Sequence, residues 1–205
     1  MRTSLAGALG AVAAAMAAAP AGADPLAPPT VPYTVDVQIT RREDFAVRAR
    51  ARFIFAGRKL RVDYGPLSRL VDFDSNDVTI LMPRVSTYWT PQPIDGPADA
   101  RRWIGVEAET AEPAGHDTIL GRPVTRYRVH GRIFDSRTPF DGNVWTTEEN
   151  IVLKVEGTGH GDGGNSPIRV TAVQLVRGPP DPAVFTIPPK WGLAPKSDTS
   201  WRDGD

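Results

Sequence analysis

The chain has 205 residues, and its 24 Lys plus Arg balance 24 Asp plus Glu, so its formal net charge is zero. A neutral chain lacks the basic excess typical of a general nucleic-acid binder, and we expect no nucleic-acid partner. The absence of cysteine excludes disulfides, thiol nucleophiles, zinc fingers and iron–sulfur clusters. The 20 prolines and 19 glycines favour turns over long helices.

The first 23 residues have the three-part pattern of a secretory signal. A basic start at Arg2 precedes an uncharged stretch from Leu5 to Ala19, and small residues before Asp24 form a cleavage site. The stretch is shorter than the roughly 20 apolar residues of a membrane span. The sequence therefore predicts a periplasmic or secreted chain, cleaved near Ala23; an uncleaved N-terminal anchor is the alternative.

The mature chain divides into three parts by composition. Residues 24–32 contain four prolines and predict an extended leader. Residues 33–189 predict a single β domain, and residues 190–205 are polar and predict a flexible tail.

Alternation of apolar and polar residues predicts strands along most of this domain. The predicted strands are Tyr33–Thr40, Phe45–Phe55, Leu60–Tyr64, Leu70–Phe73, Val78–Met82, Val85–Thr90, Val124–Ile133, Val144–Thr147, Ile151–Glu156 and Ile168–Arg177. Their short connections cannot hold a parallel crossover, so we expect an antiparallel meander. Helix is predicted only at Pro97–Ile104 and as one turn at Asp181–Phe185. The glycine-rich run Gly157–Pro167 predicts a loop.

A twisted sheet with this many strands curls, so the fold class is mainly β, either a closed barrel or an open half-barrel. Its apolar inner face is either a core filled by its own side chains or a groove for acyl chains. The candidate groove residues are Phe45, Val47, Phe53, Phe55, Leu60, Val62, Tyr64, Ile80, Tyr88, Trp89, Trp103 and Trp145.

Two groups of arginines project from the polar side of their strands. Arg48, Arg50 and Arg52 alternate on one strand, and Arg126 and Arg128 alternate on another. If the two strands were neighbours, the arginines could bind anionic lipid headgroups or the acidic patch of a partner. A solvated face with nearby carboxylates is the alternative.

No motif predicts a cofactor or a metal. Gly159–Gly164 matches G-x-G-x-x-G, but a dinucleotide site needs that string to open a helix, and a predicted strand follows here. His116, His130 and His160 stand in no metal-ligand spacing.

An acidic hydrolase site is the enzyme alternative. Asp72 with Asp74, and Glu107 with Glu109, would each point to one side of a strand, as the acids of a glycosidase do. Roles as acidic turn and edge residues explain these pairs better, so we predict a protein without a catalytic set.

Five segments resemble, in order and spacing, the LolA, LolB and RseB superfamily of periplasmic half-barrels. They are Phe53–Tyr64, Ile80–Trp89, Gly115–Val129, Gly142–Glu156 and Pro180–Pro189. The resemblance, which is to a secreted branch of this group, implies an open antiparallel half-barrel whose concave side shelters acyl chains. It implies a Gram-negative envelope and a lipid or lipoprotein partner.

The sequence therefore predicts a non-catalytic binder of lipid or lipoprotein acyl chains, with peripheral membrane contact as an option. A ligand-free interaction or sensor module of the cell envelope is the second interpretation, and the oligomeric state is left open.

Overall fold

The computed structural model describes residues 26–41, 47–90, 106–133, 138–161 and 164–194. These residues form one mainly antiparallel sheet of 12 strands. The strands are β1 (Tyr33–Arg41), β2 (Val47–Ala56), β3 (Lys59–Tyr64), β4 (Leu67–Asp72), β5 (Asp77–Met82), β6 (Thr87–Trp89), β7 (Val106–Ile119), β8 (Arg122–Ile133), β9 (Pro139–Thr146), β10 (Val152–Gly161), β11 (Gly164–Arg177) and β12 (Gly192–Leu193). Two 3₁₀ turns, Pro83–Val85 and Pro182–Phe185, are the helical elements of this part. Neither is a helix with the length and hydropathy needed to cross a membrane.

The sheet consists of two meanders joined side by side. The strand order is β12-β6-β5-β4-β3-β2-β1-β11-β10-β9-β8-β7, so β1–β6 form one meander and β7–β11 the other. The joint is the antiparallel pairing of β1 with β11, which runs from Tyr33–Arg177 to Arg41–Ile168. The edge strands β7 and β12 do not pair with each other, so the sheet stays open. The predicted mainly β, open half-barrel is confirmed.

The predicted alternation decides which side chains enter the core. In β1 the residues Tyr33, Val35, Val37 and Ile39 are buried, whereas the polar residues between them are half-buried. They join apolar side chains from both meanders in one buried cluster on the concave side, here called the inner face. Burial of apolar area on this face is the main force that holds the curled sheet together.

Several segments differ from the prediction. The run Gly157–Pro167 was expected to be a loop, but β10 extends to Gly161 and β11 begins at Gly164. The two strands therefore pair almost to their ends as a hairpin. Pro83–Val85 is a 3₁₀ turn, so the expected strand at Val85–Thr90 begins only at Thr87. The predicted helix Pro97–Ile104 lies outside the described residues.

The segments at both ends of the domain contact the sheet. In the leader, Leu26 is buried in the core, and the Thr30 amide donates to the carbonyl of Glu149 at 3.1 Å. After Pro189, where a polar tail was expected, β12 pairs in parallel with β6, and the Ala194 amide donates to the Tyr88 carbonyl at 2.8 Å.

A smaller apolar patch lies on the convex side of the sheet, here called the outer face. Ile54, Leu70 and Leu81 are buried there, and the turn Pro182–Phe185 packs against β3. Arg61 of β3 fixes this turn, because its guanidinium donates to the Val184 carbonyl at 3.0 Å, to Ser68 Oγ at 3.3 Å and to Asp63 at 2.7 Å. Arg61, which is half-buried, thus helps to hold the turn Pro182–Phe185 on the outer face.

We expect Arg61→Met to lower the free energy of unfolding by about 1–2 kcal/mol, because three hydrogen bonds of one cation are lost. Limited proteolysis should also cut the segment 178–194 faster. Urea denaturation and timed proteolysis measure the two effects. Arg50→Met, on the exposed side of β2, is the matched control and should change the free energy by less than about 0.5 kcal/mol. Equal effects of the two substitutions would contradict this role of Arg61.

Candidate functional site: the inner face and its rim

Three rows of cross-strand neighbours build the inner face of the first meander. Directly paired residues of antiparallel strands point to the same face, so the register assigns each side chain. The rows are Tyr33–Phe55–Leu60–Val71–Val78, then Val35–Phe53–Val62–Arg69–Ile80–Trp89, then Val37–Ala51–Tyr64–Leu67. The first row lies deepest in the buried cluster, and the last approaches the rim.

Most of the predicted groove residues lie on this face. Five of them, Phe53, Phe55, Leu60, Val62 and Ile80, are buried in the cluster, and Trp145 of the second meander is buried in the same cluster. Tyr64 is 47% exposed at the end of β3, and Trp89 of β6 packs half-buried against the cluster. These two aromatic side chains form the rim of the inner face. Phe45 and Trp103 lie outside the described residues, as does the side chain of Val47.

One predicted groove residue lies on the outer face instead. Tyr88 pairs with Leu81, whose side chain is buried on the outer face, so Tyr88 cannot share a face with its neighbour Trp89. Trp145 is buried in the cluster, and its cross-strand partners are Arg126 and Lys154. The Lys154 ammonium lies 4.3 Å from the centroid of the Trp145 ring, which is a cation–π contact.

The expected arginine cluster does not form, because β1, β11, β10 and β9 lie between β2 and β8. Arg52 makes a bidentate pair with Asp36 at 2.6 and 2.8 Å, and this hydrogen bond holds the pKa of Asp36 below its usual value. Arg126 donates to the Ala114 carbonyl at 2.6 Å. Arg50 and Arg128 are exposed, and the side chain of Arg48 is not described. Arg50, Arg52, Arg126 and Arg128 face away from the inner face.

The sequence analysis missed Arg69, a cation on the inner face. Its register partners Val62 and Ile80 both belong to the buried cluster, whereas the Arg69 side chain is exposed. The alternation of Leu67, Arg69 and Val71 along β4 was the available signal. Arg69 thus places a guanidinium beside the apolar residues of the inner face.

Glycines allow the second meander to bend sharply. At Gly142 of β9 and Gly157 of β10, which pair directly, the two backbones approach so closely that a Cβ atom on Gly142 would lie 2.7 Å from the Gly157 Cα. The same Cβ would lie 2.5 Å from the ring of Phe140, which is fully buried on the inner face. Only glycine fits at these two positions.

Gly142→Ala should therefore lower the free energy of unfolding by about 2 kcal/mol or more, because a methyl group has to displace backbone and a buried ring. Gly161→Ala, near the end of β10, is the control, since no atom lies within 4 Å of its added Cβ. Thermal and urea unfolding of both variants measure the difference. An unchanged Gly142→Ala variant would show that the strands can separate there at little cost.

A row of polar side chains crosses the outer side of this bend. Asp141 of β9 accepts from His130 Nδ1 at 2.8 Å and from His160 Nε2 at 3.0 Å, and His160 Nδ1 lies 2.8 Å from Asn165 Oδ1. Glu109 of β7 lies 3.7 Å from His130 Nε2. The hydrogen bond with Asp141 raises the pKa of His130 and lowers that of Asp141. The row thus connects the four strands β7–β10 through carboxylate and imidazole side chains.

The sign of the pH dependence follows from these shifts. A raised His130 pKa adds stability that is fully present below about pH 6.5 and is lost as the pH rises through the folded value. A lowered Asp141 pKa adds stability that is present above about pH 4 and is lost as the pH falls. We therefore expect the urea midpoint to fall from pH 5.5 to pH 8.5, and to fall less in Asp141→Asn.

His116→Gln is the control for this pH dependence, because His116 lies away from the row, 3.5 Å from Thr125 Oγ1. The variant should retain the wild-type fall. An equal fall in Asp141→Asn and wild-type protein would contradict the role of the row.

Two of the acidic residues considered for a hydrolase site, Asp72 and Asp74, make contacts that stabilise a turn. Asp72 accepts from the backbone amide of Asp74 at 2.9 Å, as in a tight turn, and Asp74 pairs with Arg58. Glu107 and Glu109 lie on β7, the edge strand of the second meander, whereas Asp72 lies on β4 in the first meander. Among residues 26–41, 47–90, 106–133, 138–161 and 164–194, no group of three His, Cys, Asp or Glu side chains could hold a metal ion.

No family model matches the chain, and no curated protein matches it. Solved structures do. An uncharacterized conserved protein from Thermus thermophilus is similar at 12% identity and a TM-score of 0.50, over 80% of this chain and 90% of that one.

Two further matches fall in the group expected from the sequence. The LolA superfamily protein NE2245 from Nitrosomonas europaea is 13% identical, with a TM-score of 0.41, over 80% of this chain and 93% of that one. MucB, in the MucA/MucB complex of Pseudomonas aeruginosa, is 14% identical, with a TM-score of 0.41, over 77% of this chain and 56% of its own. The solved structures that match thus include a LolA superfamily protein, which belongs to the group that the sequence resembles.

Proposed function

We propose that this protein binds lipid or lipoprotein acyl chains on its inner face, without catalysing a reaction. The observation that supports this most directly is the combination of a continuous apolar inner face with an open sheet. The cluster draws side chains from both meanders, yet the edge strands β7 and β12 do not pair with each other. The mouth can therefore widen without the loss of a strand pairing.

Burial supplies the binding energy in this proposal. Each methylene that leaves water for the inner face contributes about 0.8 kcal/mol, so a long acyl chain can offset the cost of parting buried side chains. Phe53 and Leu60 are among the side chains that would have to part. Tyr64 and Trp89 at the rim would contact the acyl chain first. Aromatic side chains with a polar group suit such a position at the boundary with water.

The polar end of the ligand would lie near Arg69. This arginine emerges from the inner face between Val62 and Ile80. Arg50 and Arg52 of β2, and Arg126 and Arg128 of β8, face away from it. A guanidinium binds carboxylate and phosphate groups with two parallel hydrogen bonds. An anionic amphiphile is therefore the ligand class that suits the rim and the interior together.

The compartment and the chain boundaries belong to the same proposal. We infer cleavage of a signal after Ala23, release into a Gram-negative periplasm, and a single binding domain over residues 33–189 preceded by the leader 24–32. In that setting the acyl chains would come from envelope lipids or lipoproteins, and contact with a membrane surface would be peripheral.

A ligand-free envelope module is the second candidate, and one observation favours it. The inner-face side chains Phe55 and Leu60 are 2% and 0% exposed, so the chain itself already buries them. In such a module the core is complete, and function lies on the outer face.

Native mass spectrometry separates the two candidates. We expect protein purified gently from the periplasm to carry lipid, and lipid-stripped protein to bind palmitic acid and methyl palmitate. A bare mass in both experiments would refute acyl binding and favour the module.

Arg69→Gln should weaken palmitate binding about two- to fivefold, as expected for an exposed ion pair, and leave methyl palmitate binding unchanged. Arg128→Gln removes an exposed arginine from the outer side of β8 and serves as the control. Fluorescence competition titrations measure both affinities. If the control weakens palmitate as much as Arg69→Gln does, the headgroup does not lie at the rim.

A further inference from the structure

Tyr33 occupies an unusual place for a residue with a hydroxyl group. It is the first residue of β1 and lies on the inner face with no exposed surface. Its ring packs against Phe55, with the ring centroids 5.7 Å apart and the planes inclined by 31°. Its row continues on one side through Leu60 and Val71, which are aliphatic. On the other side its register partner is Arg177, whose guanidinium pairs with Glu149 at 2.8 Å.

The Tyr33 hydroxyl is buried and makes no hydrogen bond. Burial raises the pKa of this phenol, so the group stays neutral and keeps its proton. A buried hydroxyl without a partner destabilises a fold, because it has lost its hydrogen bonds to water and has formed no hydrogen bond within the protein. Phenylalanine would fill the same space next to Phe55 without that cost. The hydroxyl therefore stabilises a state of the protein only when a hydrogen-bond partner reaches it.

The chemistry of the surroundings restricts what that partner is. A charged carboxylate would lose too much hydration among Phe55 and Leu60, whereas a neutral carbonyl oxygen loses much less. An acyl chain esterified or amidated at its head carries such an oxygen on an otherwise apolar body. Tyr33 and Arg69 lie on different rows and three strands apart, so a carbonyl and an anionic headgroup would have separate positions.

We propose that the Tyr33 hydroxyl donates a hydrogen bond to the carbonyl oxygen of an ester- or amide-linked acyl chain held on the inner face. This inference rests on the proposed acyl binding and names its ligand class: an O-acyl or N-acyl lipid rather than a bare hydrocarbon. Tyr33 is thus a specificity-determining residue.

Tyr33→Phe tests the inference through two effects of opposite sign. In ligand-free protein the substitution should raise the urea midpoint and the melting temperature, since an unpaired buried hydroxyl is removed. It should weaken methyl palmitate binding about two- to tenfold, the range expected for one hydrogen bond, and leave hexadecane binding unchanged. Tyr127→Phe, which removes a hydroxyl from a half-buried residue facing the same cluster, is the control and should change neither quantity.

Each other result counts against the inference. A lower melting temperature in Tyr33→Phe would mean that the hydroxyl is already satisfied within the folded chain. Unchanged methyl palmitate binding, in a wild-type protein that does bind it, would overturn the role of Tyr33 and leave acyl binding intact. If the wild-type protein binds neither methyl palmitate nor hexadecane, the proposed function fails, and this inference fails with it.

Discussion

The antiparallel pairing of β1 with β11 is the joint on which the whole architecture depends. It connects residues near position 33 with residues near position 177, and so brings two meanders that form locally into one sheet. Without it, each meander would expose its apolar side to water. With it, Val35, Val37 and Val170 share one cluster, and the concave side becomes a continuous apolar surface. Such a distant pairing carries a large closure entropy, so we infer that it forms late in folding.

The sequence predicted the strands that have one solvent-exposed face and one buried face, because such strands alternate polar and apolar residues. It missed β7 (Val106–Ile119), an edge strand whose residues are mostly exposed on both sides and which contains Pro113. Gly157 and Gly159 were predicted to be loop residues, because glycine has no side chain and so adds nothing to the alternation of polar and apolar residues. In the structure they lie within β10, where close backbone approach requires Gly157, and where a Cβ on Gly159 would lie 2.9 Å from the Ile168 side chain.

The candidate site was predicted in part. Phe53 and Phe55 follow from alternation alone, but Tyr88 and Trp89 are consecutive residues, and only the register shows which of them faces inward. The arginines of β2 and β8 were expected on the polar side of their strands, but the separation of these strands by four others depends on strand order, which alternation does not encode. Arg69 and Tyr33 gain their importance from surroundings contributed by distant parts of the chain.

The two edge strands also bear on how this open sheet avoids association with other copies. Unpaired edges invite further strands to add, which leads to aggregation. β7 presents Glu107, Glu109 and Glu112, and irregularities near Thr110 and Gly115 interrupt its regular ladder. Pro113 contributes no amide proton for an incoming strand. At the other edge, β12 is only two residues long. The sheet can thus remain open along its mouth while both of its borders resist polymerisation.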